Sequence, residues 1–472
     1  MASRSKSKLA DEPIPKLIGE YSVPAILSFS IMAAYNFIST YFIGNYEGDV
    51  GVAALTVVLP VMLVTAAIAM WVGQGGTAAT ALRLGEGKQD EAEQFLGSNL
   101  LLATLVGIVL GVLGNVFLEP ILYISGSTES IYPYAETYTR IFLFGMFIQF
   151  PALSLANFVR VDGSPNMALF ANASGLVVNI LANNILVVAL GYGIRGTAFA
   201  TVLANLATLI TVLVYFNSNK SILKFKRRNI RINPPIIKVT LQLGIASFAM
   251  QIAASIVMLL LNAQTKVFGA LHPIGADAAL AGIGTSGKII SMIVTVAIGV
   301  GMAFQPIAGF NYGAKLYGRV KEAFKISWII GMSVMTVSWL LIMFKAEFLI
   351  SIFGLTGEVQ LFSAKVLRIM SAFLPIIPIQ ILGSSYFQAT GQPLKSMVMS
   401  LTRQILLYIP FLYILPASLP QLLSITPLES VAVAMPLSDL ISVLIVAVFM
   451  IKEFKKLNLV IEETQCKHAP AR

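Results

Sequence analysis

The chain has 472 residues, of which 57% are hydrophobic and only 11% are charged, and its formal net charge is +10. A soluble protein carries roughly a quarter charged residues, so the composition excludes a soluble globular fold and indicates a membrane protein. The basic residues lie in short loops between apolar runs and form no basic stripe with interleaved aromatics, which argues against a nucleic-acid partner. The two histidines and the single cysteine offer no metal-ligand spacing, so we expect neither a metal site nor a cofactor.

Twelve apolar runs are long enough to cross a bilayer, which takes about twenty residues per helix. We therefore predict an all-α polytopic membrane protein with twelve transmembrane helices in two pseudo-symmetric six-helix lobes. The predicted spans are 17–43, 51–82, 94–118, 130–159, 165–190, 194–217, 237–269, 277–311, 321–346, 359–388, 393–416 and 428–452. The predicted domains are a cytoplasmic N-terminal segment (1–16), an N-lobe (17–217), a basic cytoplasmic linker (218–236), a C-lobe (237–452) and a cytoplasmic tail (453–472).

An internal repeat accounts for the two lobes. Gly73–Gly85 (GQGGTAATALRLG) and Gly301–Gly313 (GMAFQPIAGFNYG) both leave an apolar helix and lie 228 residues apart. Gly163 and Gly391 are separated by the same distance. Landmarks at one spacing indicate a duplicated membrane unit, and six spans per unit give both halves the same orientation.

The placement of lysine and arginine predicts that orientation. Twenty-two of these residues flank one side of the predicted spans and six flank the other. Because positive residues concentrate in cytoplasmic loops, both termini should be cytoplasmic. The short loops favour the plasma membrane of a prokaryotic cell.

Three ionisable residues lie near mid-span, all of them in the C-lobe: Lys288 in span eight, Arg403 in span eleven and Asp439 in span twelve. Counted along their helices at ~1.5 Å per residue, they reach a similar depth. A shared network is therefore expected, in which two cations keep the carboxylate charged. The network is either a structural clamp between three helices or a direct participant in ion coupling or substrate binding.

Neutral polar residues take the corresponding place in the N-lobe. They occupy spans one and five: Asn36, Ser39, Asn172, Asn179, Asn183 and Asn184. Amide and hydroxyl oxygens can coordinate a hard cation or hydrogen-bond to a substrate. The same residues can instead fasten helices one and five together by interhelical hydrogen bonds.

Two further sets suggest conformational roles. Gln305, Asn311 and Tyr312 lie near the cytoplasmic end of span eight, where we expect a structural or gating role rather than substrate contact. Pro151 and Pro378 fall at similar places in spans four and ten, and each favours a kink. Such kinks suit helices that bend during transport, although proline is also common in membrane helices.

Several motifs resemble the multidrug and toxic compound extrusion (MATE) family. They run across nearly the whole chain: YNFISTYFIG (35–44), RVDGSP (160–165), NILANN (179–184), GYGIRGTAFAT (191–201), QPIAGFNYGA (305–314), FQATGQP (387–393), LTRQILLYIP (401–410) and PLSD (436–439). The resemblance implies a secondary-active multidrug exporter, not an enzyme. Such a transporter, here expected to act as a monomer, exchanges organic and often cationic compounds for protons or sodium ions by alternating access.

The chain departs from the family pattern at two acids. Ser39 and Asn183 stand where relatives often carry aspartate, so the resemblance does not tell protons from sodium ions. A flippase for lipid-linked saccharides, which has a related architecture, is the alternative function. It should line its cleft with several cations, whereas the spans here contain only Lys288 and Arg403.

Overall fold

The computed structural model describes residues 9–423 and 425–468, except for the side chains of 32, 33, 36, 49 and 463–468. Every regular element within those residues is a helix, which confirms the all-α fold. The helices of the first half are α1 (Ile14–Gly85), α2 (Gln89–Val116), α3 (Leu118–Ile124), α4 (Tyr132–Phe144), α5 (Met146–Val161), α6 (Pro165–Asn183) and α7 (Gly193–Asn217). Those of the second half are α8 (Pro234–Ala270), α9 (Ala276–Gly313), α10 (Tyr317–Ser351), α11 (Gly357–Met370), α12 (Ile377–Ala389), α13 (Pro393–Leu401), α14 (Ile409–Leu422) and α15 (Pro427–His468).

The helix count agrees with the twelve predicted spans. Ten helices of the described residues are long and apolar enough to cross a membrane, and α4 and α5 form an eleventh span that is bent by 57°. The part of α1 before Gly48 corresponds to the first predicted span. Gly48 has φ 63° and ψ −152°, so α1 breaks there without an intervening loop. Glycine reaches this conformation because it has no Cβ.

Two compact units make up the chain. The first runs to Phe248 and adds Gly309–Lys315 and Ala389–Gly391. The second comprises Ala249–Ala308, Leu316–Gln388 and the chain from Gln392 onward. The beginning of α8 and the end of α9 therefore pack within the first unit, whereas the sequence repeat would assign them to the C-lobe.

In the first unit, the ends of α1 and α9 approach each other through a reciprocal pair of glycines. A Cβ on Gly85 would lie 2.0 Å from the carbonyl oxygen of Phe310, and one on Gly313 would lie 2.3 Å from that of Leu82. Phe310 follows Leu82 by 228 residues, as Gly313 follows Gly85. The repeat thus supplies a two-fold backbone contact for which only glycine has room.

The first unit also holds the linker after α7 through one buried carboxylate. Asp162, in the turn between α5 and α6, accepts hydrogen bonds from the backbone amides of Ile222 (3.1 Å) and Leu223 (2.7 Å). The Tyr215 hydroxyl donates to the same carboxylate at 2.6 Å. Burial raises the pKa of Asp162 to about 6, although the hydrogen bonds from Tyr215 and the linker amides lower it.

In the second unit, α9 and α11 pack through small side chains. The Ser286 hydroxyl donates to the carbonyl of Ser363 at 3.2 Å, and both residues are fully buried. Ile283 and Ile290 lie on the same side of α9 and belong to the unit's apolar core. This packing fixes which face of α9 points away from the core.

Candidate functional site

An ion pair deep in the second unit joins two of the three predicted ionisable residues. Arg403 lies on a π-helical segment, Thr402–Tyr408, that interrupts the helix between α13 and α14. Its Nε donates to Oδ1 of Asp439 on α15. The Asp439 side chain is 1% exposed and that of Arg403 is 17% exposed. A π-helical turn is frequent at functional sites because it changes the direction of the side chains that it carries.

Lys288 does not join that pair. Its side chain is exposed, and within the described part of the chain it makes no ion pair or hydrogen bond. The three-member network expected from depth is therefore reduced to Arg403 and Asp439. Depth along a helix sets the height of a side chain, but the packing of α9 turns Lys288 to the exposed face.

The N-lobe asparagines of α6 form a buried pair. Asn179 and Asn183 are both fully buried, and Nδ2 of Asn183 donates to the backbone carbonyl of Asn179 at 2.9 Å. Nδ2 of Asn179 and Oδ1 of Asn183 have no hydrogen-bond partner among the described residues. A buried polar atom without a partner is costly, so this pair offers one donor and one acceptor to a ligand or a water.

Helix α1 contacts α6 at Asn172, seven residues before Asn179. The hydroxyl of Tyr35 donates to the carbonyl of Asn172 at 3.4 Å and lies against Gly175. Ser39, one turn beyond Tyr35 on α1, is also buried. Tyr35 is not one of the predicted site residues. Its position one turn before Ser39 in the motif YNFIST is the sequence feature that could have identified it.

The predicted N-lobe set has two further members. Asn184 is exposed and donates to the carbonyl of Ile180 in its own helix at 2.9 Å. The side chain of Asn36 lies outside the described residues.

The remaining polar residues of the predicted site lie near the end of α9. Asn311 is fully buried, and its Nδ2 donates to the carbonyl of Leu9 at 3.1 Å, which ties α9 to the N-terminal segment within the first unit. Gln305 is buried, and its Nε2 has no hydrogen-bond partner among the described residues. Tyr312 is half-buried.

The two predicted proline kinks lie beside breaks at equivalent positions of the repeat. Pro151 is in α5, six residues after the bend at Gly145. Pro378 is the second residue of α12, which follows the 3-10 turn Leu374–Ile376, and it contacts Gly331 of α10. Span four is therefore bent, and span ten is interrupted by a 3-10 turn.

The chemistry of these groups is that of binding rather than bond breaking. Asp439 is the only carboxylate near the middle of a predicted span, and it is neutralised by Arg403. Hydroxyl and amide groups occupy the N-lobe cluster. The described residues contain no group of three histidine, cysteine or acidic side chains that could hold a metal ion.

Comparisons with known proteins agree with this architecture. The MatE family matches residues 24–185 and 247–414, one segment in each half of the repeat. The probable multidrug resistance protein YoeA of Bacillus subtilis (strain 168) is 24% identical over 314 residues, which are 65% of this chain and 66% of YoeA. The multidrug export protein MepA of Staphylococcus aureus (strain N315) is 21% identical over 410 residues, covering 86% of this chain and 88% of MepA.

A solved structure has the same fold. It is the outward-facing conformation of a multidrug resistance MATE family transporter of the MOP superfamily, which matches with a TM-score of 0.86 at 21% identity. The match covers 96% of this chain and 98% of the other. With the family match spread over both halves of the repeat, the chain is a member of the MatE family of membrane transporters.

Proposed function

We propose that this protein exports organic compounds from the cell by alternating access, in exchange for protons or sodium ions. The observation that carries the proposal is the family match in both halves of the chain at the spacing of the internal repeat. The names of the relatives YoeA and MepA, which refer to multidrug resistance and multidrug export, support a range of organic substrates.

Asp439 is the group best suited to coupling. It is the one acid at mid-span depth, and its partner Arg403 lies on an irregular π-helical turn whose backbone can rearrange. A proton or sodium ion would compete with Arg403 for the carboxylate, so its binding would release α13 and α14 from α15. The N-lobe asparagines would then serve substrate or ion through neutral oxygens, since no acid occupies their positions.

Flux measurements in proteoliposomes test this function directly. Purified protein is reconstituted, and uptake of a fluorescent organic cation is followed with a proton gradient or a sodium gradient imposed separately. We expect one gradient to drive accumulation of the dye and its collapse by an ionophore to stop it. Dye movement that requires neither gradient would contradict antiport and favour a facilitator or a flippase.

A further inference from the structure

Lys288 is an exposed cation within a membrane-spanning helix. It lies twelve residues into α9, about 18 Å from the start of the helix at Ala276. Among the described residues no carboxylate pairs with it, because Asp439 is bound by Arg403. Its charge is therefore unbalanced within the described part of the protein.

The exposed face of α9 around Lys288 is built from small and polar residues. Gly284, Lys288, Ser291 and Thr295 are spaced by four, three and four residues, which places them on one side of a helix. A Cβ at Gly284 would meet no atom within 4 Å, so the space beside this face is open. The opposite side of α9 is the one that packs into the core of the second unit.

This face of α9 differs in composition from the lipid-facing surfaces expected elsewhere in the protein. Helix α2 exposes branched aliphatic side chains along its length: Leu105, Ile108, Val109, Val112, Leu113 and Val116. Between Ala281 and Thr295, the only large apolar side chain that α9 exposes is Met292, at 63%. An unpaired ammonium group surrounded by acyl chains is strongly unfavourable. This face of α9 therefore lines a water-accessible space within the membrane.

The chemistry of that face specifies its ligand. A lysine without a counter-charge favours an anion, and the neighbouring Ser291 hydroxyl can donate a hydrogen bond to it. Met292 offers a flexible, polarisable surface to an organic skeleton. We propose that Lys288 binds the carboxylate or sulfonate of an amphipathic organic substrate, so that the exported compounds include anionic or zwitterionic molecules. This proposal rests on the export function proposed above and narrows its substrate class.

A matched pair of dyes tests the assignment. One is a zwitterionic rhodamine with a free carboxylate, and the other is its ethyl ester, which lacks the anionic group. Their affinities for purified protein in lipid nanodiscs are measured by fluorescence anisotropy. We expect the wild type to prefer the carboxylate dye and Lys288→Gln to lower its affinity for that dye about tenfold, since a charge-assisted hydrogen bond is lost. The affinity for the ester should not change.

Two control variants separate charge from fold. Lys288→Arg keeps the cation and should keep the preference. Lys266→Gln removes another exposed lysine, four residues before the end of α8, and should also keep it. No preference in the wild type, or an unchanged ratio of the two affinities in Lys288→Gln, would overturn the assignment.

Two further measurements are needed. One tests whether Lys288 binds a lipid headgroup instead of a substrate, and the other tests the export function separately from binding. If Lys288→Gln weakens binding of a fluorescent short-chain phosphatidylglycerol but not of the carboxylate dye, the residue serves a lipid headgroup and the assignment is overturned. Export is followed separately in proteoliposomes with the ester dye. If the ester is bound but moved by no gradient, the export function fails, whereas the ratio of binding affinities still decides the role of Lys288.

Discussion

At the scale of single residues, the Arg403–Asp439 pair makes the sharpest prediction. Asp439→Asn leaves a largely buried guanidinium without its counter-charge. Removing one partner of a buried ion pair lowers the free energy of unfolding by roughly 3–5 kcal/mol. We expect the variant to reach the membrane, to melt at a lower temperature in detergent and to lose export. Thermal melting by size-exclusion chromatography and dye export from cells measure the two effects.

The double variant Arg403→Gln/Asp439→Asn distinguishes a clamp from a coupling group, because it removes both charges together. If the pair is only a clamp, the double variant should recover both melting temperature and export. If Asp439 couples ion flow to transport, the double variant should melt like the wild type and still fail to export. Wild-type export by Asp439→Asn alone, at equal membrane abundance, would reject the coupling role.

Asp162 gives the protein a predictable response to pH. Its pKa in the folded protein is about 6, above the ordinary value of 3.8, so between these values the folded protein holds a proton that the unfolded chain has released. Its contribution to stability is therefore full at low pH and is lost as the pH rises through about 6. The carboxyl group faces the phenols of Tyr215 and Tyr21.

The measurement compares melting curves of the wild type and Asp162→Asn over a series from about pH 4 to pH 7, which covers the range between the two pKa values. We expect the melting temperature of the wild type to fall more steeply with rising pH than that of the variant, which has no proton to lose. Parallel curves would show that Asp162 does not titrate in this range. The slopes are compared because the substitution also removes a hydrogen-bond acceptor for the linker amides.

At the scale of helices, sequence patterns predicted length and depth but could not predict rotation. Long apolar runs identified the spans because each must match the thickness of a bilayer. The depth of Lys288 along its helix predicted that it lies beside Asp439. The contact of Ser286 with Ser363 instead turns Lys288 to the other side of α9. The π-helical turn that carries Arg403 could not be predicted from the sequence either, because it depends on how α13 and α14 pack against α15.

The glycine pair at the ends of α1 and α9 yields a prediction at the same scale. Gly85→Ala and Gly313→Ala would each place a methyl group within 2.3 Å of a backbone carbonyl, so the helices must separate. Forcing extra atoms into such a contact typically destabilises a protein by about 1–3 kcal/mol. We expect both variants to melt at lower temperature than the wild type. Gly318→Ala is the matched control, since a Cβ there meets no atom within 4 Å, and melting that is unchanged in all three would contradict the contact.

At the scale of the whole molecule, duplication and charge together predict how the chain crosses the membrane. Six spans in each half bring the linker and the two termini to one side, and twenty-two lysines and arginines flank that side against six on the other. Because basic loops stay in the cytoplasm, a fluorescent-protein fusion after Glu462 should be bright. An alkaline phosphatase fusion in the turn between α3 and α4 should be active outside the cytoplasm, and one in the linker at 218–233 should be inactive. An active linker fusion would mean that the first half has an odd number of spans. The two repeats would then not share one orientation, and the symmetry from which alternating access is inferred would be lost.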